Sequence, residues 1–417
     1  MRNAPRRILI DGTMARGGGG FTYLVNVVHR LAQAAPEDRF LVLVRTGALR
    51  DSIPSAPNLR VERLPEVGLG GRLRFTYLEA ARIAARFGAD LYFSAGESAP
   101  PAAPCPTIAS FRNPNVFSSE GGWPWRQRLR LHTLRGLAQL ATWSCDRIVF
   151  VSQDSADWIG DAVGLPRARR AVIHHGIDRE AWAARTARPP HPWPYILSVS
   201  SIYRYKNFVR LIEAYAELAR WRRDVPDLVI IGDDADPEYA RRMEEARRAT
   251  GELAEQIHIV GEVPYAGVQA WYAGAELFVF PSYLETFGHP LLEAMAAGVP
   301  LVAADIEVSR EIAADAAFYA DPRDPRSLAR AMDAALFAPG AREILVKRGR
   351  ERVRDFGWDR TARSLLALFE EVLVESAPRR VPAPRRPQPA MAGPAALPAA
   401  SARAQAGRAG GAGLLAA

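Results

Sequence analysis

Short β-rich runs alternate with longer amphipathic stretches along this chain, and the alternation starts again about half-way. In the first half, strands are predicted at residues 8–10, 40–44, 91–93, 107–110, 148–151 and 171–174. In the second half, they are predicted at residues 195–199, 228–231, 257–260, 277–280 and 301–304. Strands that alternate with helical segments are typical of parallel sheets with helices on both faces. The sequence therefore predicts an α/β fold with two successive Rossmann-like, doubly wound domains and a cleft between them.

The boundary between the two repeats lies at a proline-rich segment. Residues 185–194 read RTARPPHPWP, which is typical of an interdomain linker. A chain of 417 residues also exceeds what one hydrophobic core normally supports. We predict a first domain over residues 1–184, a second over 195–358 and an amphipathic helix within 359–376. Residues 377–417 are mainly Ala, Pro, Gly and Arg without any acidic residue, and we expect them to be disordered.

Charge and cysteine content restrict the class of function. Of the 54 Lys and Arg residues only Lys206 and Lys347 are lysines, and residues 1–190 hold 26 Arg against 16 Asp and Glu. A basic first half suits an anionic membrane surface or a phosphate-bearing substrate, and no nucleic-acid-binding motif accompanies it. Cys105 and Cys145 lack metal-ligand spacing, so neither disulfides nor a zinc site is predicted. The sequence shows no signal peptide and no long apolar span, and we expect a reducing cytoplasm.

The segment PSYLETFGHPLLEAMAAGVP, residues 281–300, carries the strongest chemical signal. It places Glu285 and Glu293 eight residues apart. Gly288 and Pro290 between them predict a loop that turns into a helix, because proline fits the first helical turn. The free N–H groups at such a helix start form a site for phosphate. With a carboxylate on each side, the segment suits a ligand with hydroxyls on both sides of a diphosphate, such as a nucleotide sugar.

A structural interpretation of the same segment remains open. Glu293 could be the glutamate of a capping box and Glu285 a solvated loop charge. A capping box needs Ser or Thr three residues before the glutamate, and this chain has Pro290 there.

Residues 285–295, ETFGHPLLEAM, resemble the E-x7-E segment of the family-4 retaining glycosyltransferases, which have the two-domain GT-B fold. In that family the first glutamate contacts the donor sugar and the second the ribose hydroxyls. The resemblance implies these roles for Glu285 and Glu293. It implies further that the first domain binds the acceptor, that the second binds the donor and that residues 359–376 cross back onto the first domain. Donor contacts are also expected from the residues around the helix start: Phe287, Gly288, His289 and Leu291.

Two cations follow the first strand of the second half. Residues 202–208 read IYRYKNF, and cations at the C-terminal edge of a strand can neutralise a diphosphate leaving group without a metal. The family usually has Arg-Lys-Asn here. Lys206 and Asn207 match, whereas the arginine is shifted to Arg204 with Tyr205 in its place. We predict catalytic roles for Lys206 and Arg204, and the alternative is a solvated charge at a helix start.

A glycine run after the first strand is a further candidate for ligand contact. Residues 17–20 are all glycine, and the resemblance implies that Gly18 and Gly19 border the donor phosphate. A dinucleotide site is disfavoured, because Thr22 stands where its third glycine should be and the second strand ends in Arg45. A merely flexible loop is the other alternative.

Arg112 and Asn113 follow the strand at residues 107–110 and should therefore point into the cleft. Many family members carry His-Asp or His-Asn at this position. Arg112 can hold an acceptor or donor oxygen, but it cannot shuttle a proton as histidine can. We predict a catalytic and acceptor-binding role for Arg112 and acceptor binding for Asn113, with a structural role as the alternative. His174 and His175, at the end of the sixth strand, could reach the cleft, but we expect them to support a hinge.

Two other segments leave alternatives open. Asp234 and Asp236 offer an Asp-x-Asp pair that could hold a divalent metal, as in one-domain glycosyltransferases, but that class lacks the E-x7-E segment. We therefore predict neither a metal nor a cofactor. Residues 123–143 combine arginine and tryptophan around a helical pattern, which suits either a membrane-surface helix or an ordinary helix with a solvated basic face.

The expected function is retaining transfer of a hexose from a nucleoside-diphosphate sugar. The hexose would be of the mannose, glucose or rhamnose type and the acceptor a glycan or a lipid-linked glycan. The resemblance suggests bacterial surface polysaccharide or lipopolysaccharide assembly in the cytoplasm, with peripheral contact to the inner face of an anionic membrane. The alternatives are a nucleotide-sugar 2-epimerase of the same fold and a catalytically silent sugar-nucleotide-binding partner.

Overall fold

The computed structural model describes residues 5–15, 18–118, 125–183 and 189–376. The sequence predictions for Gly17, Trp123, residues 185–188 of the linker and the tail 377–417 lie outside these residues, and so do parts of the predicted first domain. Within the described part of the chain, no helix combines the length and the apolarity that a membrane span requires.

The described residues of the first half contain seven strands that pair in parallel. They are β1 (Arg7–Asp11), β2 (Arg39–Val44), β3 (Leu59–Arg63), β4 (Leu91–Ser94), β5 (Thr107–Phe111), β6 (Arg147–Phe150) and β7 (Arg170–Val172). Their order in the sheet is β3-β2-β1-β4-β5-β6-β7. The helices are α1 (Gly18–Ala34), α2 (Gly47–Ser52), α3 (Leu69–Arg74), α4 (Ala80–Phe87), α5 (Pro114–Phe117), α6 (Trp125–Ser144), α7 (Gln153–Ala162) and α8 (Arg179–Ala183).

The second half contains six parallel strands. They are β8 (Tyr195–Val199), β9 (Asp227–Ile231), β10 (Ile257–Gly261), β11 (Leu277–Phe280), β12 (Leu301–Ala304) and β13 (Ala317–Ala320). Their order is β10-β9-β8-β11-β12-β13. The helices are α9 (Phe208–Trp221), α10 (Pro237–Ala249), α11 (Tyr265–Gly274), α12 (His289–Ala297), α13 (Glu307–Ala313), α14 (Pro325–Phe337), α15 (Ala341–Arg352) and α16 (Trp358–Glu375).

Both sheets are covered on their two faces, which explains why most strands could be predicted. In β1, Ile8 and Ile10 enter one core and Leu9 enters another on the opposite face. In β8, Ile196 and Leu197 enter separate cores in the same way. A strand buried on both faces is a nearly continuous apolar run. The prediction of two parallel, doubly wound sheets is confirmed.

The sequence prediction missed β3 and β13, which lie at the edges of their sheets. Arg60 and Glu62 alternate with apolar residues in β3, and three of its five residues are only half-buried. The apolar run is therefore too weak to stand out. The helical segment of residues 69–87 is interrupted, because a π-helical turn at Phe75–Glu79 separates α3 from α4.

The last helix of the chain packs into the core of the first half. α16 lies against α1, and Trp358, Leu365 and Phe369 are buried among residues of the first sheet. Phe369 contacts Phe93 of β4, with ring centroids 5.4 Å apart. α16, which follows the second sheet in the chain, is thus part of the core of the first half.

Candidate functional site

A cavity of about 440 Å³ lies where the strand order reverses in both sheets. In the first sheet this is the junction of β1 and β4, and in the second it is the junction of β8 and β11. At this junction the loops after two neighbouring parallel strands lead in opposite directions, which leaves a crevice at the carboxyl ends of the strands. Open α/β sheets bind ligands in such crevices. The cavity is lined by Met14, Ala15, Gly19, Gly20, Ala95, Gly96, Glu97, Arg112, Asn113, Pro114, Val151, His175, Ser200, Tyr205, Lys206, Glu285, Thr286, Phe287, Gly288, His289 and Pro290.

Lys206 and Glu285, predicted separately from the sequence, meet in this cavity. Lys206 Nζ lies 2.5 Å from Glu285 Oε1, and both side chains are almost completely buried. Burial lowers the pKa of Lys206, but the charge and hydrogen bond of Glu285, together with Tyr205 and Tyr203, raise it by more, so that the pKa lies above its ordinary value. Lys206 is therefore a cation held beside the carboxylate with which we expect it to share a ligand.

The backbone that presents Lys206 is fixed by Asn207. Asn207 adopts a left-handed conformation, with φ of 65°, at the start of α9. Its side-chain amide donates to the carbonyls of Pro281 (3.0 Å) and Pro322 (2.7 Å). Asparagine tolerates this conformation better than most residues. Asn207 thus ties the Lys206 turn to the segment that carries Glu285.

Arg112 is a half-buried cation, and no carboxylate among the described residues forms an ion pair with its guanidinium. The guanidinium lies 4.4 Å from the centre of the Tyr23 ring and donates to the Ala95 carbonyl. Its Nη1 has no hydrogen-bond partner among the described residues. Glu97 accepts from the backbone N–H groups of Arg112 (3.1 Å) and Asn113 (3.0 Å). Burial lowers the pKa of Arg112. Its buried Nη1 group is a donor without a hydrogen-bond partner, and an anionic ligand would supply one.

His175 and His289 join the two halves at the floor of the cavity. His175 Nδ1 and His289 Nε2 are 2.8 Å apart and share a hydrogen bond. Burial lowers the pKa of His175 well below its usual value and that of His289 to about 4, so both rings are neutral at pH 7. His175 Nε2 has no partner among the described residues. The hinge role predicted for His175 is therefore incomplete, because the ring also faces the cavity.

The backbone at the start of α12 has the loop-to-helix turn that the sequence predicts. Gly288 adopts the left-handed conformation, with φ of 84°, and Pro290 lies in the first turn. Leu291 N–H donates to Gly288 C=O (3.0 Å), and proline has no N–H. The donors that this helix start can offer to an anion are therefore the N–H groups of Gly288 and His289.

Glu293 is buried in the second turn of α12 and does not line the cavity. Tyr272 donates its hydroxyl to Glu293 Oε2 (3.0 Å), and Tyr265 donates to Oε1 (3.3 Å). Burial raises the pKa of Glu293 to about 7, despite the opposing effect of these two hydrogen bonds. No Ser or Thr caps the helix, so the capping-box alternative does not describe this glutamate.

The structure does not bring every predicted residue to the cavity. Arg204 is the clearest correction: its guanidinium is bound by Asp236 (3.0 Å) and Glu238 (2.9 Å). Asp236 also caps α10, so this member of the Asp-x-Asp pair is already engaged. The predicted donor contacts outside the cavity lining are Gly18, Leu291 and Glu293, whereas Gly19, Phe287, Gly288 and His289 line it.

Two family models match the chain, one after the other. Glycosyltransferase Family 4 matches residues 18–181, and Glycosyl transferases group 1 matches residues 179–352. Together these models cover residues 18–352, which include every strand described above except β1. The chain belongs to the group 1 glycosyltransferases.

Individual relatives of this glycosyltransferase are distant. O-antigen chain mannosyltransferase B of Escherichia coli is 31% identical over 170 residues, which are 40% of this chain and 42% of the relative. A glycogen synthase of Mycobacterium tuberculosis is 30% identical over 247 residues, which are 58% of this chain and 57% of the relative. The chain thus spans less than two thirds of the length of either relative.

The fold is shared with solved GT-B structures. HepE of Anabaena, crystallised in complex with UDP-glucose, superposes on this glycosyltransferase with a TM-score of 0.66 at 17% identity. The superposition covers 88% of this chain and 99% of HepE. The predicted GT-B arrangement of two Rossmann-like halves is therefore confirmed.

Several residues of the glycosyltransferase site were not predicted from the sequence. Thr286 donates its hydroxyl to the Arg112 carbonyl (2.7 Å), and Ser152 donates to the Thr286 carbonyl (2.7 Å). Together with Glu97 and Tyr205, they support the cavity across the two halves. Glu97 could have been found, because it lies just after β4 and loops at the carboxyl ends of parallel strands carry ligand contacts. The role of Thr286 depends on contact with a residue 174 positions away.

A second cavity of about 500 Å³ adjoins the first within the first half of the glycosyltransferase. The two cavities share Met14, Glu97 and Asn113. The walls of the second cavity are more apolar, and two arginines contribute to them. Its remaining lining residues are Arg72, Leu73, Thr76, Tyr77, Ser98, Val116, Arg130, Leu134 and Leu137.

Proposed function

We propose that this chain is a retaining glycosyltransferase that moves a hexose from a nucleoside-diphosphate sugar to a glycan or lipid-linked acceptor. The observation that carries the proposal is the convergence of two partly buried cations, Lys206 and Arg112, with the start of α12 around one cavity. Fixed donors of this kind stabilise negative charge in a site that excludes water. HepE, solved in complex with UDP-glucose, supports a nucleotide sugar as the donor.

The Lys206–Glu285 ion pair suggests how the donor is received. A diphosphate that enters beside Lys206 would replace Glu285 as the ion-pair partner of the Lys206 ammonium. The N–H groups of Gly288 and His289 would bind the diphosphate oxygens. Glu285 would then be free to accept hydrogen bonds from sugar hydroxyls. The ribose would extend along α12 towards Glu293, the role that the family resemblance assigns to this residue.

The reaction can proceed on one face of the sugar without a covalent enzyme intermediate. An acceptor hydroxyl attacks the anomeric carbon as its bond to the phosphate oxygen breaks, and the departing phosphate oxygen takes the hydroxyl proton. Lys206 and the start of α12 stabilise the charge that develops on the diphosphate. His289, with its low pKa, is neutral and poorly suited to donate a proton.

The second cavity is the proposed acceptor site. It opens onto the donor cavity at Asn113 and Glu97, so an acceptor hydroxyl placed there would face the sugar. Its apolar walls and the arginines Arg72 and Arg130 suit an acceptor with an apolar and an anionic part. The similarity to an O-antigen chain mannosyltransferase supports a role in bacterial surface polysaccharide assembly at the cytoplasmic side of the membrane.

Donor specificity and reaction type can be tested in one series of experiments. We expect one or more of UDP-, GDP- and dTDP-hexoses to raise the Tm, because a ligand that binds only the folded state stabilises it. The stabilising donor should then be incubated alone and with lipid-linked acceptors. Formation of an isomeric nucleotide sugar from the donor alone would favour the epimerase, and neither transfer nor hydrolysis would favour the silent binding partner. An inverted anomeric centre in the NMR spectrum of the product would contradict retention.

We predict that transfer does not require a metal. Lys206, Arg112 and the helix start take the place that a divalent cation would hold beside the diphosphate. Turnover should therefore persist in excess EDTA, measured as release of the nucleoside diphosphate. If EDTA abolishes turnover and Mg²⁺ or Mn²⁺ restores it, the proposed source of charge stabilisation is wrong.

We also propose that α6 contacts an anionic membrane. Its inward side buries Ala138 and Ala141, whereas its outward side exposes Leu129, Leu140 and Trp143, the last with 73% of its surface accessible. Arg128 and Arg130 are exposed on the same helix. Exposed apolar residues flanked by arginine are typical of a helix that lies on a bilayer surface.

Vesicle sedimentation tests this contact. Vesicles that contain phosphatidylserine should bind the protein at low salt and release it at high salt, since each arginine near the surface contributes about 1 kcal/mol. Replacing Arg128 and Trp143 with Gln should weaken binding, whereas replacing the exposed Trp221 of the second half should not. The basic tail requires the same assay on a chain ending at Ser376. If this truncation abolishes binding and the α6 variant retains it, the tail is the membrane contact.

A further inference from the structure

Two imidazoles and one carboxylate converge in the second half, away from the candidate donor site. His191 Nε2 lies 2.8 Å from Asp227 Oδ2, and His258 Nε2 lies 3.1 Å from the same oxygen. The centroids of the two imidazole rings are 4.7 Å apart. The three ligand atoms all lie within 4.8 Å of one another. Both histidines thus direct the same ring nitrogen towards one point.

The sheet accounts for this convergence. Asp227 is the first residue of β9, and His258 of β10 is paired with Val229 two positions further along β9. Because residues two apart on a strand share a face, Asp227 and His258 project from the same side. His191 arrives from the segment before β8, and its ring packs against Tyr195, the register partner of Asp227.

The position excludes a part in the proposed transfer reaction. These residues lie at the amino ends of β9 and β10, whereas the donor cavity is at the carboxyl ends of the strands. None of the three lines that cavity. His191 belongs to the proline-rich segment that connects the two sheets, so a ligand held here would fasten that segment to the second sheet.

We propose that His191, Asp227 and His258 form a binding site for a divalent transition metal, with zinc as the best-matched ion. Two neutral imidazole nitrogens and a carboxylate oxygen are ligands that zinc accepts, and a water molecule would complete four-fold coordination. Ligand atoms around tetrahedral zinc are separated by ~3.3 Å at bond lengths of about 2.0–2.1 Å. The two observed nitrogen–oxygen distances are therefore only a few tenths of an ångström short of those in a zinc site.

The exposure of the side chains fits a site that fills from solution. The exposed fractions are 12% for His191, 17% for Asp227 and 36% for His258. Two ligands are thus well held, and the third leaves a path for the ion and its water. Metal binding at this site should stabilise the folded chain, because the unfolded chain does not hold the three ligands together.

The test uses the full chain, stripped with EDTA, dialysed and titrated with ZnCl₂ against a chromophoric competitor. We expect one equivalent to bind and the Tm to rise. CoCl₂ should give the visible absorption of a tetrahedral ion. His191→Gln and Asp227→Asn should each weaken zinc binding by at least about tenfold, since even partners outside the ligand shell have effects of this size. Because His191 lies outside regular secondary structure, its variant should fold even if Asp227→Asn does not.

His174→Gln is the matched control. His174 also faces a carboxylate, Glu311, at 2.8 Å, but no second imidazole is bound to that carboxylate. Zinc binding should survive this substitution. Failure of the wild-type chain to bind zinc, or equal zinc affinity in wild type and His191→Gln, would overturn the proposal. Persistence of sugar transfer in EDTA together with a lower Tm would separate this site from the reaction.

Discussion

Replacing Lys206 with alanine should lower kcat by at least about a hundredfold, which is the typical effect of losing one preorganised group that stabilises transition-state charge. The loss in kcat should exceed the loss in donor affinity, because charge on the leaving diphosphate develops as the bond breaks. Steady-state release of nucleoside diphosphate gives kcat, and equilibrium titration with the donor gives Kd. A variant that loses affinity but keeps its turnover would show that Lys206 only anchors the donor.

Two controls separate chemistry from folding in this experiment. The chain has only one other lysine, Lys347, which is exposed on α15, and Lys347→Ala should leave kcat unchanged. Lys206→Ala also leaves the buried Glu285 without its partner, a change that commonly destabilises a protein by about 3–5 kcal/mol. Activity should therefore be measured well below the Tm of the variant. Partial rescue of turnover by a small alkylammonium ion would show that the missing charge, rather than misfolding, limits the reaction.

The parts of the site that could be predicted are those determined by local sequence. The start of α12 depends on Gly288 and Pro290, which lie between Glu285 and Glu293 in the chain. The turn that presents Lys206 depends on the next residue, Asn207. In both places a few neighbouring residues determine the backbone conformation, so the sequence pattern alone indicates the geometry.

The parts that could not be predicted depend on contacts between distant residues. Arg204 stands close to the expected position, but Asp236 and Glu238 bind it from beyond β9. The sequence gives no reason to prefer these partners over a phosphate. In the same way, His191, Asp227 and His258 have no motif spacing. The register of β9 and β10 brings Asp227 and His258 together, and the packing of His191 against Tyr195 of β8 adds the third residue. Pairings of this kind are determined by the tertiary fold.

The pairing of Lys206 with Glu285 has a consequence for the donor-free state. Each residue was predicted to bind a different part of the ligand, yet the structure joins them at 2.5 Å. A buried ion pair of this kind keeps both side chains in place before the ligand arrives. When the donor binds, Lys206 exchanges its contact with Glu285 for a contact with the diphosphate. The side chains therefore need to move little, as expected for a preorganised site.

Glu293→Gln should stabilise the donor-free protein at alkaline pH while weakening donor binding. The pKa of Glu293 is raised from 4.5 to about 7 by burial. Between these two values the folded state holds a proton that the unfolded state has lost, so the stability of the wild type falls as pH rises from about 4.5 to about 7. At pH 8, where Glu293 is ionised, the free energy of unfolding of the wild type should be about 3 kcal/mol lower than it is below pH 4.5. Because Gln does not titrate, the stability of Glu293→Gln relative to the wild type should increase as pH rises from about 4.5 to about 7.

The measurement is the free energy of unfolding of both proteins at pH 5.5 and pH 8, with exposed Glu252→Gln as the control that should show no such change. In parallel, donor affinity of Glu293→Gln should fall about tenfold or more, because charge-assisted hydrogen bonds to ribose contribute roughly 1.5–3 kcal/mol. A stability difference that is the same at both pH values would contradict the buried, raised-pKa carboxylate. Unchanged donor affinity would contradict the ribose role. The expected combination, a more stable protein that binds its donor less well, follows because a carboxylate kept buried for a ligand destabilises the chain whenever the ligand is absent.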